Sequence, residues 1–378
     1  MNTIYLATLI FGLICIIATT VYLYTLIRRV TKKLDNKITK KWIRNIISIS
    51  IAAFIIGLIL IYNPFILFVI YFLMASIVVD IFQLLIKKLA NQSSKPVKIW
   101  TIIHTVFLIP LLFSTGMMAY GHINIMNVEP THYTITTDKN IREEGYRVCL
   151  IADVHFGSSI DVAELKNICK EIQSKKPDLI ILCGDIVDEG TTYKQMTEVF
   201  QTFGTIKSSF GTYFVYGNHD CQTYVPTPSY TKEQLKQTIT ENNITILEDE
   251  IINISDDLTL VGRVDASFST NTNRASIEQL LSNVNKNDYI LVLDHQPTDF
   301  IQNSEAGTDL LLSGHTHAGQ FWPLNLVLEL IPFNDGVYGL EQIKNTNTII
   351  TSGMSGWAFP YKTSSPAEYV FIHIKPES

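Results

Sequence analysis

The residues of this 378-residue chain that can do chemistry fall into five short clusters. In chain order they are Asp153-Val154-His155, Gly184-Asp185, Gly217-Asn218-His219-Asp220, His295 and Gly314-His315-Thr316-His317. Five of the nine histidines lie in them. Asp, Asn and His offer oxygen and imidazole nitrogen without thiolate, a donor set that suits Mn, Fe, Zn or similar divalent ions. Asp153, His155, Asp185, Asn218, His295, His315 and His317 are seven candidate ligands, enough for two ions sharing one carboxylate. Two ions roughly 3.5–4 Å apart stabilise both the attacking and the leaving oxygen of an in-line displacement. Phosphoryl transfer gains most from this, because its catalysis is mainly positioning and charge stabilisation. A lone DxH or GD pair carries little information. GHTH carries more, since two histidines at i and i+2 behind a glycine are rare outside metal sites. The ordered series is the signal.

Something must gather residues spread from 153 to 317. Each cluster follows a short apolar run: YRVCLIA (146–152), DLIILC (178–183), TYFVY (212–216), DYILVLD (288–294) and TDLLLS (308–313). Runs of this length, rich in Ile, Leu, Val and Tyr, read as buried strands. In layered α/β folds ligands bind at strand C-termini, where the loops converge on one crevice. Asp161 with Glu164 three residues on reads as a capping box, opening a helix to about Lys175.

The series DVH, GD, GNHD, H and GHTH resembles the calcineurin-like metallophosphoesterase superfamily over about residues 140–378. SGHTHAGQFWP and LDHQP look like its bacterial branch of membrane-associated phosphodiesterases, which includes enzymes that cleave the pyrophosphate of UDP-diacylglucosamine. The resemblance implies a four-layer α-β-β-α domain and two divalent metal ions. By motif position, Asp153, His155 and His317 hold the first ion, Asp185 bridges, and Asn218, His295 and His315 hold the second. His219 is implied to sit over the phosphoryl group, stabilising charge or protonating the leaving oxygen, with Asp220 orienting its ring; the alternative for Asp220 is a helix cap. Asp188 reads as a loop-fixing acid. The implied reaction is in-line attack by an activated water with no covalent enzyme intermediate. The chain departs from the branch at Ala318, where a second glycine is common. It departs again near its C-terminus, where Lys362 replaces an arginine and becomes a candidate for substrate phosphate, without Arg's bidentate fork.

The N-terminal third is of another kind. Residues 1–120 carry 12 Lys+Arg against two Asp+Glu, a balance of +10, while residues 121–378 stand at −16. Four apolar segments, about 4–26, 46–62, 65–86 and 99–120, read as transmembrane helices, the second and third joined by a hairpin at Asn63-Pro64. The first has no basic residue before it and is long for a signal peptide. The expected architecture is therefore an α-helical membrane domain (1–120) followed by an α/β metallophosphoesterase domain (121–378). RRVTKKLDNKITKKWIR holds eight Lys/Arg and KKLANQSSKPVK four, whereas the other loop ends hold none. The positive-inside rule places both basic loops in the cytoplasm and the catalytic domain outside it. Asp80, inside the third span, reads as a structural acid close to Lys87 and Lys88. The cysteines show no CxxC spacing; Cys149 and Cys183 read as small buried hydrophobes, and unpaired thiols sit slightly against an extracytoplasmic location.

The partners expected are a lipid bilayer and a phosphoester, free or lipid-linked. An acidic catalytic half is poorly suited to nucleic-acid polymers, whose affinity comes largely from Lys and Arg on phosphate. A nucleotide phosphodiesterase stays open, as does a membrane sensor whose esterase domain only binds ligand. FWPLNLVLELIPF (321–333) is either a lip for a bilayer or acyl chain, or another core element. Tyr224 to Tyr230 is a candidate rim of the site.

Overall fold

The computed structural model describes residues 19–31, 41–61, 64–268, 274–331 and 333–377, and the chain divides into two compact units, Met1–Tyr120 and Gly121–Ser378. The first unit is helical, with α1 (residues 19–31), α2 (Lys41–Ile61), α3 (Phe65–Leu89), α4 (Lys95–Thr105) and the start of α5 (Leu108–Met126). Among the described residues α3 is long and apolar enough by itself to cross a bilayer, and α4 with α5 passes only as a pair bent by 53°. The span expected over 99–120 falls on this pair, which is broken between Thr105 and Leu108. Pro110 supplies a reason: its ring clashes with the carbonyl four residues back, at Val106, where the helix breaks. The expected span at 4–26 lies largely outside the described residues, as does Asn63 of the expected Asn63-Pro64 hairpin; the span at 46–62 falls within α2 to Ile61. Asp80 is bound by Arg29 (2.7 Å), His104 (2.8 Å) and the Tyr22 hydroxyl (2.8 Å), not by Lys87 or Lys88, so it ties α1, α3 and α4 together.

The second unit is built on two six-stranded sheets. One runs in spatial order β1 (Val128–Thr137), β12 (Ala367–Pro376), β2 (Tyr146–Ile151), β3 (Leu179–Cys183), β4 (Thr212–Val215), β5 (Ile244–Ile246). The other runs β10 (Gly339–Ile343), β11 (Thr346–Ile350), β9 (Leu310–Ser313), β8 (Tyr289–Leu293), β7 (Leu258–Gly262), β6 (Glu250–Asn253). Strands β2 to β5 are mutually parallel, as are β7, β8 and β9, so each group ends on one edge of its sheet.

Period-two alternation builds the layers. Val148 and Leu150 of β2 join Leu291 and Leu293 of β8 in the core between the sheets. Cys149 and Ile151 face the other way, toward α6 (Val162–Ser174), α7 (Tyr193–Phe203) and α8 (Lys232–Glu241). Ile290 and Val292 pack outward against α9 (Ile277–Leu280) and α10 (Phe300–Ala306). The result is the four-layer α-β-β-α arrangement. Helix α6 opens on Asp161, whose carboxylate accepts the Glu164 N–H at 2.8 Å. The thiols of Cys149, Cys169 and Cys183 are buried and unpaired.

Candidate metal centre

Each candidate ligand follows its strand by two to four residues: Asp153 and His155 after β2, Asp185 after β3, Asn218 after β4, His295 after β8, His315 and His317 after β9. Five of the seven (Asp153, His155, Asp185, His315 and His317) have φ between 40 and 71°. That region is costly for residues with a Cβ and concentrates at functional sites. The loops leave the strands by turning sharply inward, and the motif glycines make this possible. Gly184 has φ 80°, and a Cβ on it would lie 2.5 Å from His295 Nδ1. A Cβ on Gly314 would run into the Asp153 carboxylate.

The side chains meet in two triads, Asp153–His155–His317 and Asp185–His295–His315, whose ligand atoms within each triad lie within 4.8 Å of one another. His155 Nε2 and His317 Nε2 face each other at 3.2 Å. Asn218 Oδ1 lies 3.0 Å from His315 Nδ1, which brings it to the second triad. Asp185 Oδ2 lies 3.1 Å from His295 Nε2 and 4.0 Å from His155 Nε2, between the two groups.

The outer nitrogens of three imidazoles are engaged. His295 Nδ1 donates to the Cys183 carbonyl (2.8 Å), His317 Nδ1 to the Ser355 carbonyl (3.3 Å), and His155 Nδ1 meets Asp188 Oδ2 at 3.1 Å. Such contacts fix the tautomer that turns Nε2 inward, the usual support of a metal-binding histidine. His295 Nε2 is buried and makes no hydrogen bond although Asp185 Oδ2 is 3.1 Å away, because the two are misaligned. They point at a shared place rather than at each other, which fits a cation between them.

Charge in the cluster is finely divided. Burial opposes ionisation everywhere, yet the His295 imidazolium holds Asp185 below the usual carboxylate range while Asp185 holds His295 well above the usual imidazole range. Burial and the neighbouring His295 push His315 down to about 4, and burial with charged His155 keeps His317 low. Burial lifts Asp153 to about 6. A divalent cation would take over from these protons, since ligation needs deprotonated donors.

His219 stands at the mouth, its ring between Trp357 (5.4 Å) and Tyr224 (5.2 Å). Its Nδ1 meets Glu189 Oε2 at 2.7 Å. This corrects the expectation for Asp220. That carboxylate is buried and accepts the main-chain N–H groups of Gly217 (2.7 Å), Asp185 (2.9 Å), Ile186 (2.9 Å) and Val187 (3.2 Å). It clamps the β3 loop to the β4 loop and does not touch His219. Asp188, read as a loop-fixing acid, does fix its loop through the N–H of Gly190 (2.8 Å), and also orients His155.

Lys362 is corrected too. Its side chain is fully buried, and its ammonium donates to the carbonyls of Ser352, Gly353 (2.9 Å) and Ser355 (3.5 Å), so it supports the loop behind His317 and has no access to substrate. Burial pushes its pKa down to about 7. Of the expected rim, Tyr224 is exposed whereas Tyr230 is core, its hydroxyl on the Asp220 carbonyl at 3.1 Å. Glu189 and Trp357 were not picked out from the sequence. Glu189 had a faint signal, as the third acid in five residues (Asp185, Asp188, Glu189); Trp357, in a Gly/Ser-rich loop, had none.

Comparison with known proteins agrees with this geometry. The profile of the calcineurin-like phosphoesterase family matches residues 146–319. An uncharacterised metallophosphoesterase of Helicobacter pylori is 28% identical over 235 residues, covering 61% of this chain and 60% of its own length. The uncharacterised metallophosphoesterase YkuE of Bacillus subtilis is 25% identical over 268 residues, covering 68% of this chain and 90% of its own. A transmembrane protein with a metallophosphoesterase domain from Danio rerio is 25% identical over 283 residues, covering 70% and 62%. Residues 146–319, which hold both triads, are a calcineurin-like phosphoesterase domain, similar to those of curated metallophosphoesterases.

Proposed function

We propose that the chain is a membrane-anchored, two-metal phosphodiesterase or pyrophosphatase acting on a lipid-linked or envelope phosphoester. The observation that carries this reading is the position of Asp185 Oδ2 between two inward-facing triads. In it, Asp153, His155 and His317 hold one ion, Asn218, His295 and His315 the other, and Asp185 is shared. Two bound divalent ions would supply charge neutralisation at phosphorus and activation of water. The protein's own groups do the rest. Asp188 and the Cys183 and Ser355 carbonyls keep three imidazoles in the ligating tautomer. Glu189 holds the His219 ring and favours its protonated form, so that Nε2 can donate to the leaving oxygen. Trp357 and Tyr224 limit the ring's movement.

The preference for a diester rests on shape. A cavity of about 740 Å³, lined by Ser158, Asp188, Glu189 and Tyr224, opens on one side of His219 and Trp357. A second of about 340 Å³ opens on the other. A substituent on each side of phosphorus can occupy both. Anchoring and an extracytoplasmic catalytic unit are inferred from the apolar helix α3, the basic loops, and the transmembrane relative. The test is hydrolysis by the purified full chain with added Mn. Bis-p-nitrophenyl phosphate is expected to be cleaved faster than p-nitrophenyl phosphate, and DNA not at all. Full metal loading with no hydrolysis of any ester would favour the sensor reading instead.

A further inference from the structure

The segment after the last metal motif does not behave like the rest of the catalytic unit. Helix α11 (Leu324–Leu330, LNLVLEL) has no buried residue. Leu330 is 82% exposed and Phe333 77%, with Trp322, Leu326 and Ile331 also exposed. The reading of this stretch as another core element is thus not what the fold gives. A short helix has little stability of its own, and contiguous exposed apolar surface marks a place where something apolar binds.

The inner side of α11 shows what. Leu324 and Leu328, one turn apart, line the cavity of about 340 Å³ together with Phe321, Trp357 and Phe359. None of these five carries a charge. The same cavity ends on Asp185, His219, His315 and His317, the side chains of the metal centre. Gln320 keeps the far wall in place: its Nε2 donates to the carbonyls of Trp357 (3.2 Å), Phe359 (3.2 Å) and Tyr361 (3.0 Å). The larger cavity across His219 is of mixed character, with Ser158, Asp188 and Glu189 beside Phe156, Tyr224 and Trp357, and so accepts a more polar substituent. Polarity therefore falls from one side of the metal centre to the other.

We propose that the cavity between α11 and the 357–359 loop is a subsite for a hydrocarbon chain attached to the scissile phosphoester. Phosphorus sits at the triads, the chain runs past Leu324 and Leu328, and a chain longer than the cavity leaves over the exposed face of α11. The occupant is fixed by continuity: whatever fills the apolar end must be joined to a phosphoester at the other. The inference rests on the proposed phosphodiesterase reading and names the class of one substituent.

The test uses the full chain in nanodiscs, loaded with Mn, and a series of water-soluble alkyl p-nitrophenyl phosphodiesters from methyl to hexyl. In the wild type kcat/KM is expected to rise about threefold per methylene until the cavity is filled. The ratio of hexyl to methyl ester is then read within each variant. L324N/L328N, at positions open enough to tolerate polarity, should bring that ratio close to one. L328W, which fills the cavity and keeps it apolar, should lower the ratio by excluding the longer chains. A flat series in a wild type that hydrolyses the methyl ester overturns the subsite and leaves the phosphodiesterase reading standing. So does an unchanged ratio in both variants; a changed oligomeric state alongside it would assign α11 to contact between copies instead. No hydrolysis of any ester by metal-loaded protein removes the phosphodiesterase reading, and the subsite with it.

Discussion

At the scale of residues, the acid on His219 is set by reach rather than by adjacency. Asp220 follows His219 in the chain, but the turn after β4 points its carboxylate inward to four main-chain N–H groups. Glu189, thirty residues earlier, meets Nδ1 instead. Burial alone would lower the His219 pKa; the Glu189 carboxylate raises it on balance. Removing that charge disfavours the imidazolium. Glu189→Gln is therefore expected to move the alkaline limb of the kcat–pH profile to lower pH, and to reduce kcat by about 10- to 100-fold for a poor leaving group. An unmoved limb would show that Glu189 does not govern His219. The candidate ligands that the fold gathers were legible in the sequence because metal binding draws on few residue types and the loops keep their order. Glu189 and Trp357 were not, since their contacts with His219 exist only after strands distant in sequence are packed. Lys362 misled for a related reason. Lysine is almost never fully buried, and only the fold shows the carbonyls that hold it.

At the scale of elements, the strands that carry the ligands were readable within two residues at either end, because fully buried parallel strands form continuous apolar runs. The sharp turns after them were readable only as glycines. Their purpose is steric: Gly314 lets the β9 loop lie directly on Asp153, whose carboxylate oxygens each accept the His315 N–H at 3.0 Å. Gly314→Ala should displace that carboxylate while leaving the strands intact. Metal affinity is expected to drop about 10- to 100-fold, as for loss of other supports behind a ligand, with little change in the far-UV circular dichroism. Isothermal titration with Mn reads the first and the spectrum the second; wild-type affinity would mean that the loop can yield. Ala318, in the position where a glycine is common, adopts φ 50° and carries the strain that glycine avoids. The break between α4 and α5 was not read from the sequence, although Pro110 lies beside it.

At the scale of the whole molecule, charge and hydropathy separate an N-terminal third of balance +10 from a catalytic part of −16. The two basic loops predict an orientation in which residues 140–378 lie outside the cytoplasm. Single cysteines introduced there, in a background whose own thiols are replaced, should react with a membrane-impermeant maleimide in intact cells. Labelling only after permeabilisation would reverse the topology. The central claim, however, is the shared dinuclear site, and Asp185 is its hinge. Asp185→Asn removes the one carboxylate oxygen placed between the triads while preserving its shape. Metal counted by mass spectrometry on the purified full chain, alongside diester hydrolysis, tests this most directly. The expected result is loss of at least one of two ions per chain and about a thousandfold fall in kcat; two ions retained with wild-type hydrolysis would contradict it.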